Sequence, residues 1–159
     1  MYKILILCTG NSCRSIIGEA LLNHLGKGRI EAYSAGSHPT GRVNPNALAI
    51  LNEHGIPTTG FSSKSWAALE SVPIDIVITV CDRAAGETCP AYLGKALKAH
   101  WGLPDPAGVT DSEQEVKAAF QATYDALKRR VERLLALPLE SLSEQKLVDQ
   151  LNEIGKIDA

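Results

Sequence analysis

Apolar residues follow two patterns along the chain, short continuous runs and longer stretches with apolar positions three and four residues apart. Short runs bounded by turn residues indicate strands, and the 3.6-residue spacing indicates amphipathic helices. Strands are predicted at residues 3–7, 29–36, 74–80 and 97–101. Helices are predicted at residues 16–25, 44–54 and 112–135, with a short one at 65–69. This alternation predicts a four-stranded parallel sheet with helices on both faces, a three-layer αβα fold.

A further helical pattern follows the long helix, which Pro138 ends. Within residues 143–158 the apolar positions with helical spacing are Leu147, Val148, Leu151 and Ile154. Such a stripe is typical of a helix with one buried face. We therefore expect residues 1–138 to form the main domain and residues 139–159 to form an amphipathic extension, packed on that domain or on a partner.

The composition narrows the class of protein. The chain has 159 residues, of which 45% are apolar and 21% charged, as in an ordinary globular domain with one core. A net charge of −2 gives no electrostatic reason to bind nucleic acid or an anionic membrane. The N-terminus leads directly into an apolar run of about five residues, too short for a signal peptide or a membrane span. We expect a cytoplasmic monomer whose four cysteines are redox or catalytic groups rather than two structural disulfides.

The first strand ends at Cys8 and is followed by small, turn-prone residues up to Arg14 and Ser15. A strand, a polar loop and a helix together form an anion cradle, because backbone N–H groups point inward and the helix N-terminus adds a positive dipole. We expect this field to depress the pKa of the Cys8 thiol. The guanidinium of Arg14 suits a tetrahedral oxyanion, and Ser15 can donate a hydrogen bond to the thiolate. The sequence thus predicts a nucleophile at the floor of an oxyanion pocket.

The spacing of this loop resembles a known family. Five residues separate Cys8 from Arg14, as in the phosphate-binding loop of cysteine-dependent phosphatases. Its place after the first strand resembles the low-molecular-weight tyrosine phosphatases, a family that includes the thioredoxin-coupled arsenate reductases. The alternative is a strand-to-helix turn with a buried cysteine. The resemblance covers about residues 2–137 and implies that the oxyanion is bound by Thr9, Gly10, Asn11, Ser12, Cys13, Arg14 and Ser15.

Two further cysteines, Cys81 and Cys89, lie eight positions apart. Cys81 follows the third predicted strand as Cys8 follows the first, so both belong at the edge where parallel strands end and ligands bind. Three thiols at one edge can pass a disulfide from one pair to the next in a thiol–disulfide cascade. The pair resembles the redox segment of the arsenate reductases, whose two cysteines usually lie one position closer. A zinc site with help from His100, or two buried structural cysteines, are the alternatives.

A Pro-Asp-Pro turn places Asp105 after the fourth predicted strand, again at this edge. A rigid, exposed aspartate there can act as a general acid, although an ordinary turn aspartate is the alternative. Both branches of the family place an acid in a corresponding Asp-Pro. The phosphatases typically continue with an aromatic residue, whereas this chain has Ala107, as the reductases do. Aromatic residues are only 5% of the chain, and the paired tyrosines of a phosphatase are missing.

The resemblance also suggests a cation site. Asn11, Glu19 and Ser34 match positions that bind potassium in some reductases, but the aspartate expected near residues 62–63 is absent. A potassium ion is thus a possible cofactor, and no other metal and no bound organic cofactor are expected.

The resemblance implies reduction of arsenate to arsenite, for arsenic detoxification. Arsenate, with phosphate or sulfate as mimics, binds the loop and Arg14. Cys8 attacks arsenic while Asp105 protonates the departing hydroxyl. Cys81 then attacks the sulfur of Cys8, arsenite leaves, and Cys89 attacks Cys81 to give a disulfide for thioredoxin. A glutaredoxin–glutathione couple is the other reductant that the sequence leaves open.

Two other functions remain open. One is a phosphatase acting on tyrosine phosphate, in which Cys81 and Cys89 are idle. The other is an oxyanion-binding or redox-sensing module whose cysteines report oxidation without turnover. Arsenite production beside aryl phosphate hydrolysis separates the three.

Overall fold

The computed structural model describes residues 1–81 and 90–157. The four strands are β1 (Tyr2–Cys8), β2 (Ile30–Gly36), β3 (Ile76–Thr79) and β4 (Leu97–His100). Within these residues the α-helices are α1 (Arg14–Leu25), α2 (Pro45–Glu53), α3 (Glu113–Leu135) and α4 (Glu144–Ile154). Short 3₁₀ helices span Trp66–Leu69, Ala91–Leu93 and Pro106–Gly108. Every predicted strand and helix is present.

The strands form one parallel sheet in the order β2-β1-β3-β4, flanked by the helices, which confirms the predicted fold. Strand β2 lies on one side of β1, and β3 and then β4 lie on the other side. The sheet therefore changes winding direction between β1 and β3, where a crevice opens at the carboxyl ends of the strands. Cys8 lies at this end of β1, opposite Gly36 of β2.

The core lies around the two central strands. Residues 4–7 of β1 and 76–78 of β3 are at most 1% exposed, which explains why both segments are continuous apolar runs. Strand β3 is shorter than predicted because the N–H of Ile74 bonds to the carbonyl of Val72 in a turn before the strand begins. Helix α3 contributes the predicted stripe to the core, with Phe120, Tyr124, Leu127, Val131 and Leu134 buried.

The C-terminal helix α4 packs on the domain at strand β4. Leu147, Leu151 and Ile154 are buried, as the spacing predicts. The N–H of His100 donates to Oδ1 of Asn152 at 3.0 Å, so α4 covers the outer edge of β4. The division at residue 138 stays a prediction. Among the described residues no helix is both long and apolar enough to cross a membrane.

Candidate active site

The loop between β1 and α1 is shaped by backbone hydrogen bonds to the segment after β2. Three loop carbonyls accept from that segment: Thr9 from the N–H of His38 at 2.9 Å, Gly10 from Thr40 at 3.0 Å and Ser12 from Asn44 at 2.9 Å. Across a planar trans peptide the following N–H points opposite to the carbonyl. The amides after these carbonyls are thus directed to the concave side of the loop. A row of such N–H groups beside a helix N-terminus is the geometry that binds oxyanions.

Asn11 holds the tight part of this loop. Its φ of 47° is in the left-handed region, which asparagine tolerates better than most residues, and its side chain is fully buried. The side-chain amide donates to Oγ of Ser15 at 2.8 Å, and Oδ1 accepts from the N–H of Lys64 at 2.9 Å. The hydroxyl of Ser63 donates to the carbonyl of Gly10 at 3.0 Å. Sequence reasoning assigned Ser15 to the Cys8 thiolate, and the contact that the structure gives its oxygen is with Asn11.

The thiols of Cys8 and Cys81 meet across the crevice between β1 and β3. Both side chains are 5% exposed, and neither forms a disulfide. The Cys81 thiol lies close enough to Cys8 to act on its ionisation, and Oγ1 of Thr9 lies 3.6 Å from Sγ of Cys81. Both line one cavity of about 290 Å³ together with the loop and Asp105. The predicted convergence of these two cysteines at one edge is confirmed.

The ionisation of Cys8 differs from the sequence-based expectation. The contact with Cys81 and the burial of the thiol raise the pKa of Cys8 well above its ordinary value. Arg14 and the hydrogen bond from the Thr9 backbone lower this pKa, but they do not outweigh the other two effects. The prediction of a depressed pKa was therefore wrong for this arrangement. The positive groups of the loop lower the pKa of Cys8 as expected, and the neighbouring thiol and burial raise it by more.

Arg14 is tied to the segment that follows β4. Its Nη1 donates to the carbonyl of Leu103 at 2.8 Å, and its Nη2 lies 3.7 Å from Oδ2 of Asp105. The buried Nε–H of Arg14 has no acceptor among the described residues. A buried donor without a partner costs about 1–3 kcal/mol, so an oxyanion that accepts from it is stabilised. The guanidinium thus links the anion loop to the aspartate.

Asp105 lies where the sequence places it, on an exposed turn at the mouth of the cavity. Its Oδ1 accepts from the N–H of Ala107 at 3.0 Å, which caps a 3₁₀ turn. The Sγ of Cys13 donates to the same oxygen at 3.6 Å. Cys13 begins helix α1 and is 4% exposed, and burial raises the pKa of its thiol. A neutral thiol and the Arg14 guanidinium therefore both face this carboxylate.

The remaining predicted sites have different outcomes. Cys89 lies outside the described residues. For the zinc alternative, the described part of the chain holds no group of three or more potential His, Cys, Asp or Glu ligands. His100, the proposed helper, contacts the hydroxyl of Thr79 through Nδ1 at 2.7 Å.

The residues suggested for potassium form hydrogen bonds instead of an oxygen cage. The hydroxyl of Ser34 donates to Oε1 of Glu19, whose pKa is raised by burial. The Asn11 oxygen already accepts from the Lys64 amide. Potassium binding therefore stays a prediction from the resemblance, and no step below involves it.

Some supporting residues were missed by sequence reasoning. A Cβ on Gly36 would lie 2.4 Å from the Thr9 carbonyl oxygen, so only glycine allows β2 to approach the loop this closely. Ser63 and Leu103 act through a hydroxyl and a backbone carbonyl distant in sequence. Neither contact has a local pattern that reveals it.

A buried thiol at the floor of an anion-binding loop, between the first strand and helix of a parallel αβα sheet, defines a cysteine-dependent phosphatase-like protein. The family model described as low molecular weight phosphotyrosine protein phosphatase matches residues 3–148. The chain belongs to this family, which confirms the resemblance.

Curated relatives point to one branch. The chain is 35% identical over 130 residues to an arsenate reductase of Shouchella clausii, covering 82% of this chain and 92% of the relative. It is 38% identical over 131 residues to an arsenate reductase of Bacillus licheniformis, with the same coverage.

Solved structures agree in fold. An arsenate reductase in the reduced state is 31% identical with a TM-score of 0.70, covering 86% of this chain and 98% of its own. An arsenate reductase in the phosphate binding state is 27% identical with a TM-score of 0.65, covering 83% and 98%. A thioredoxin-dependent arsenate reductase of Corynebacterium glutamicum is 28% identical with a TM-score of 0.56, covering 80% of this chain and 62% of its own.

Proposed function

We propose that this protein reduces arsenate to arsenite through a cysteine nucleophile and a thiol–disulfide cascade. The observation that carries the proposal is the buried Cys81 thiol, which lines the same anion cavity as the Cys8 thiol. A phosphatase hydrolyses its cysteine adduct with water and has no use for a second thiol at this position. The curated relatives named arsenate reductase, at 35% and 38% identity, support the same choice.

The first step forms a sulfur–arsenic bond. Arsenate is bound by the loop amides and by Arg14, whose buried Nε–H gains an acceptor. Cys8 passes its proton to the bound arsenate and attacks arsenic as a thiolate, and a hydroxyl group leaves as water with a proton from Asp105. Asp105 regains a proton from the adduct, so the thiol and arsenate together give the adduct and water. The Arg14 contact holds Asp105 beside the cavity. The phosphate-bound relative supports an oxyanion of this shape, with phosphate or sulfate as mimics.

The second step transfers two electrons to arsenic. Cys81 attacks Sγ of Cys8, a disulfide forms between the two sulfurs, and the electron pair of the sulfur–arsenic bond leaves with arsenic as arsenite. Both cysteines line the same cavity, so this attack takes place inside it.

The third step exports the oxidation. Cys89 attacks Cys81, which frees Cys8 and leaves a Cys81–Cys89 disulfide. Cys8 and Cys81 are both buried, so their disulfide is shielded from a protein reductant, and a third thiol is needed to present it. We propose thioredoxin as the reductant, supported by the thioredoxin-dependent relative, with glutaredoxin and glutathione as the alternative. Reduced thiols of this kind fit the cytoplasm.

The test measures arsenite with thioredoxin, thioredoxin reductase and NADPH. Wild-type protein should turn over many times. Cys89→Ser should release one equivalent of arsenite and stop with a Cys8–Cys81 disulfide, which mass spectrometry of a tryptic digest detects. Cys13→Ser is the matched comparison for loss of a thiol: Cys13 has no place in the cascade, so turnover should continue past one equivalent, at a rate that can change because its thiol donates to Asp105.

Two outcomes contradict the scheme. Continued turnover of Cys89→Ser with thioredoxin would contradict the three-cysteine cascade, which needs Cys89 in its third step. Robust arsenite release by Cys81→Ser would contradict the second step, in which Cys81 attacks Cys8. Efficient hydrolysis of aryl phosphates without any arsenite formation favours the tyrosine phosphatase alternative, because that reaction needs Cys8, Arg14 and Asp105 alone.

A further inference from the structure

The end of the chain contacts the strand that leads to Asp105. The indole N–H of Trp101 donates to the carbonyl of Leu151 at 2.9 Å, and Trp101 is fully buried. The backbone N–H of His100 donates to Oδ1 of Asn152 at 3.0 Å. A Cβ on Gly155 would lie 2.2 Å from the carbonyl oxygen of His100, so the two backbones touch. Helix α4 is thus joined to the last residues of β4 at three points.

Arg130 of helix α3 ties the same two segments together. It is 1% exposed, and its Nη1 donates to the carbonyls of Trp101 at 2.9 Å and Gly102 at 3.4 Å. Its Nη2 donates to the carbonyl of Ile157 at 3.0 Å. One buried guanidinium therefore fixes the exit of β4 and the end of the chain relative to each other. Hydrogen bonds from a charged group are stronger than those between neutral groups, so this guanidinium holds the two segments together.

The fixed segment runs directly into the active site. The residue after Gly102 is Leu103, whose carbonyl accepts from Arg14 at 2.8 Å and whose N–H donates to the carbonyl of Val80 at 3.0 Å. Asp105 follows two residues later. Any displacement of residues 100–102 is therefore transmitted through very few bonds to the aspartate.

These contacts lie beyond the part that the family shares. The family model ends at residue 148, before Leu151, Asn152, Gly155 and Ile157. The reduced arsenate reductase is covered over 98% of its length, while 86% of this chain is matched.

We propose that residues 151–157 and Arg130 are positioning residues for Asp105, so that the C-terminal helix of this chain supports the proton-transfer step. The proposal rests on the proposed function, in which Asp105 protonates the departing hydroxyl. Small displacements of a catalytic group lower rates strongly, because proton transfer needs hydrogen-bond distance in the transition state.

The main variant is Asn152→Ala, which removes one side-chain acceptor from the partly exposed end of α4. Single-turnover arsenite formation should fall about threefold to tenfold. Asn152→Asp keeps the acceptor oxygen and should restore the rate to within about twofold of wild type. Gln145→Ala is the matched control on the same helix, because Gln145 is exposed and its amide donates to the exposed Asp149, and it should leave the rate unchanged. Arg130→Lys should lower the rate at least as far as Asn152→Ala, since it loses the fork that spans both segments.

A double-mutant cycle distinguishes positioning from a general structural effect. In the Asp105→Ala background, Asn152→Ala should change the residual rate by less than about twofold, because the group that it positions is gone. Amide exchange of residues 101–108, measured by mass spectrometry, should quicken in Asn152→Ala and not in Gln145→Ala. This second readout is independent of the reaction.

The proposal is overturned if Asn152→Ala matches the wild-type rate, or if it lowers the rate equally in both backgrounds. If wild-type protein forms no arsenite, the proposed function fails by itself. The same cycle is then run on phenyl phosphate, whose leaving group also needs a proton, and the two predicted patterns decide the positioning role in the same way.

Discussion

At Cys8, three neighbours and burial act on the protonation of one thiol. Arg14 and the Thr9 backbone favour the thiolate, whereas the Cys81 thiol and the loss of water favour the neutral form. The second pair of effects prevails, so the pKa of Cys8 is raised while Cys81 stays in contact. The resolving thiol therefore also restrains the nucleophile before substrate arrives.

Replacing Cys81 by alanine should release this restraint. The largest cause of the raised pKa is then absent, so the pKa of Cys8 falls and its alkylation begins at lower pH. Each unit of that fall raises the thiolate fraction at pH 7 about tenfold. Iodoacetamide labelling between pH 5 and 10, with Cys8 followed by peptide mass spectrometry, should rise within this range in Cys81→Ala and stay low in wild type.

The matched control for this measurement is Cys13→Ala, because the Cys13 thiol is also buried but is not among the causes of the Cys8 shift. Its labelling of Cys8 should stay low, as in wild type. Labelling that stays equally low in Cys81→Ala would show that burial alone sets the pKa.

At the scale of elements, the loop after β1 depends on the end of β2. Gly36 faces Cys8 in the sheet register, and the carbonyl oxygens of Thr9 and Cys8 would lie 2.4 Å and 2.9 Å from a Cβ there. The end of β2 therefore packs directly against the loop backbone and supports it.

Gly36→Ala should lower the free energy of unfolding by about 1–3 kcal/mol, since the backbone must shift to admit the methyl group. It should also weaken phosphate binding, because the displaced carbonyls orient the anion-binding amides. Urea unfolding and isothermal titration with phosphate measure the two effects. Gly108→Ala, where a Cβ meets nothing within 4 Å, should change stability by less than about 0.5 kcal/mol. Equal stability of the two variants would contradict the support role.

Features carried by local sequence were predictable, and features that depend on distant partners were not. The apolar run of β1 and the apolar spacing of α2 are local, and both elements were found where predicted. The convergence of Cys8 and Cys81 followed from the parallel sheet. The effect of that convergence on the Cys8 pKa required the distance between the two thiols, which the sequence does not contain.

The same reason explains the missed supports. Leu103 serves through its carbonyl 89 positions from Arg14, and Lys64 through its N–H 53 positions from Asn11. Every residue has these backbone groups, so no side-chain pattern identifies them.

At the scale of the whole molecule, an asparagine side chain covers each edge strand of the sheet. Asn23 of α1 pairs with β2, accepting from the N–H of Ala32 at 2.8 Å and donating to its carbonyl at 3.0 Å. Asn152 accepts from His100 on β4. Unpaired edge groups invite pairing with other chains, so these side chains protect the sheet from edge-to-edge association.

Asn23→Ala should leave the N–H and carbonyl of Ala32 without their side-chain partner. We expect a loss of about 1–3 kcal/mol in the free energy of unfolding, seen as a lower Tm in calorimetry. His24→Ala, at the adjacent exposed position, is the control and should change stability by less than about 0.5 kcal/mol. If the Tm of Asn23→Ala equals that of the control, the hydrogen bonds from Asn23 to β2 do not stabilise the fold.

The two thiols in the cavity come from distant parts of the chain, and this has a consequence for folding. Cys8 and Cys81 are 73 positions apart, and the parallel pairing of β1 with β3 brings them together. Such long-range pairing forms late, because closing a long loop costs entropy before any contact compensates for it. A cross-link between these sulfurs, trapped during refolding, therefore records the moment at which the central strands pair. The two cysteines can therefore be used to time the assembly of the sheet.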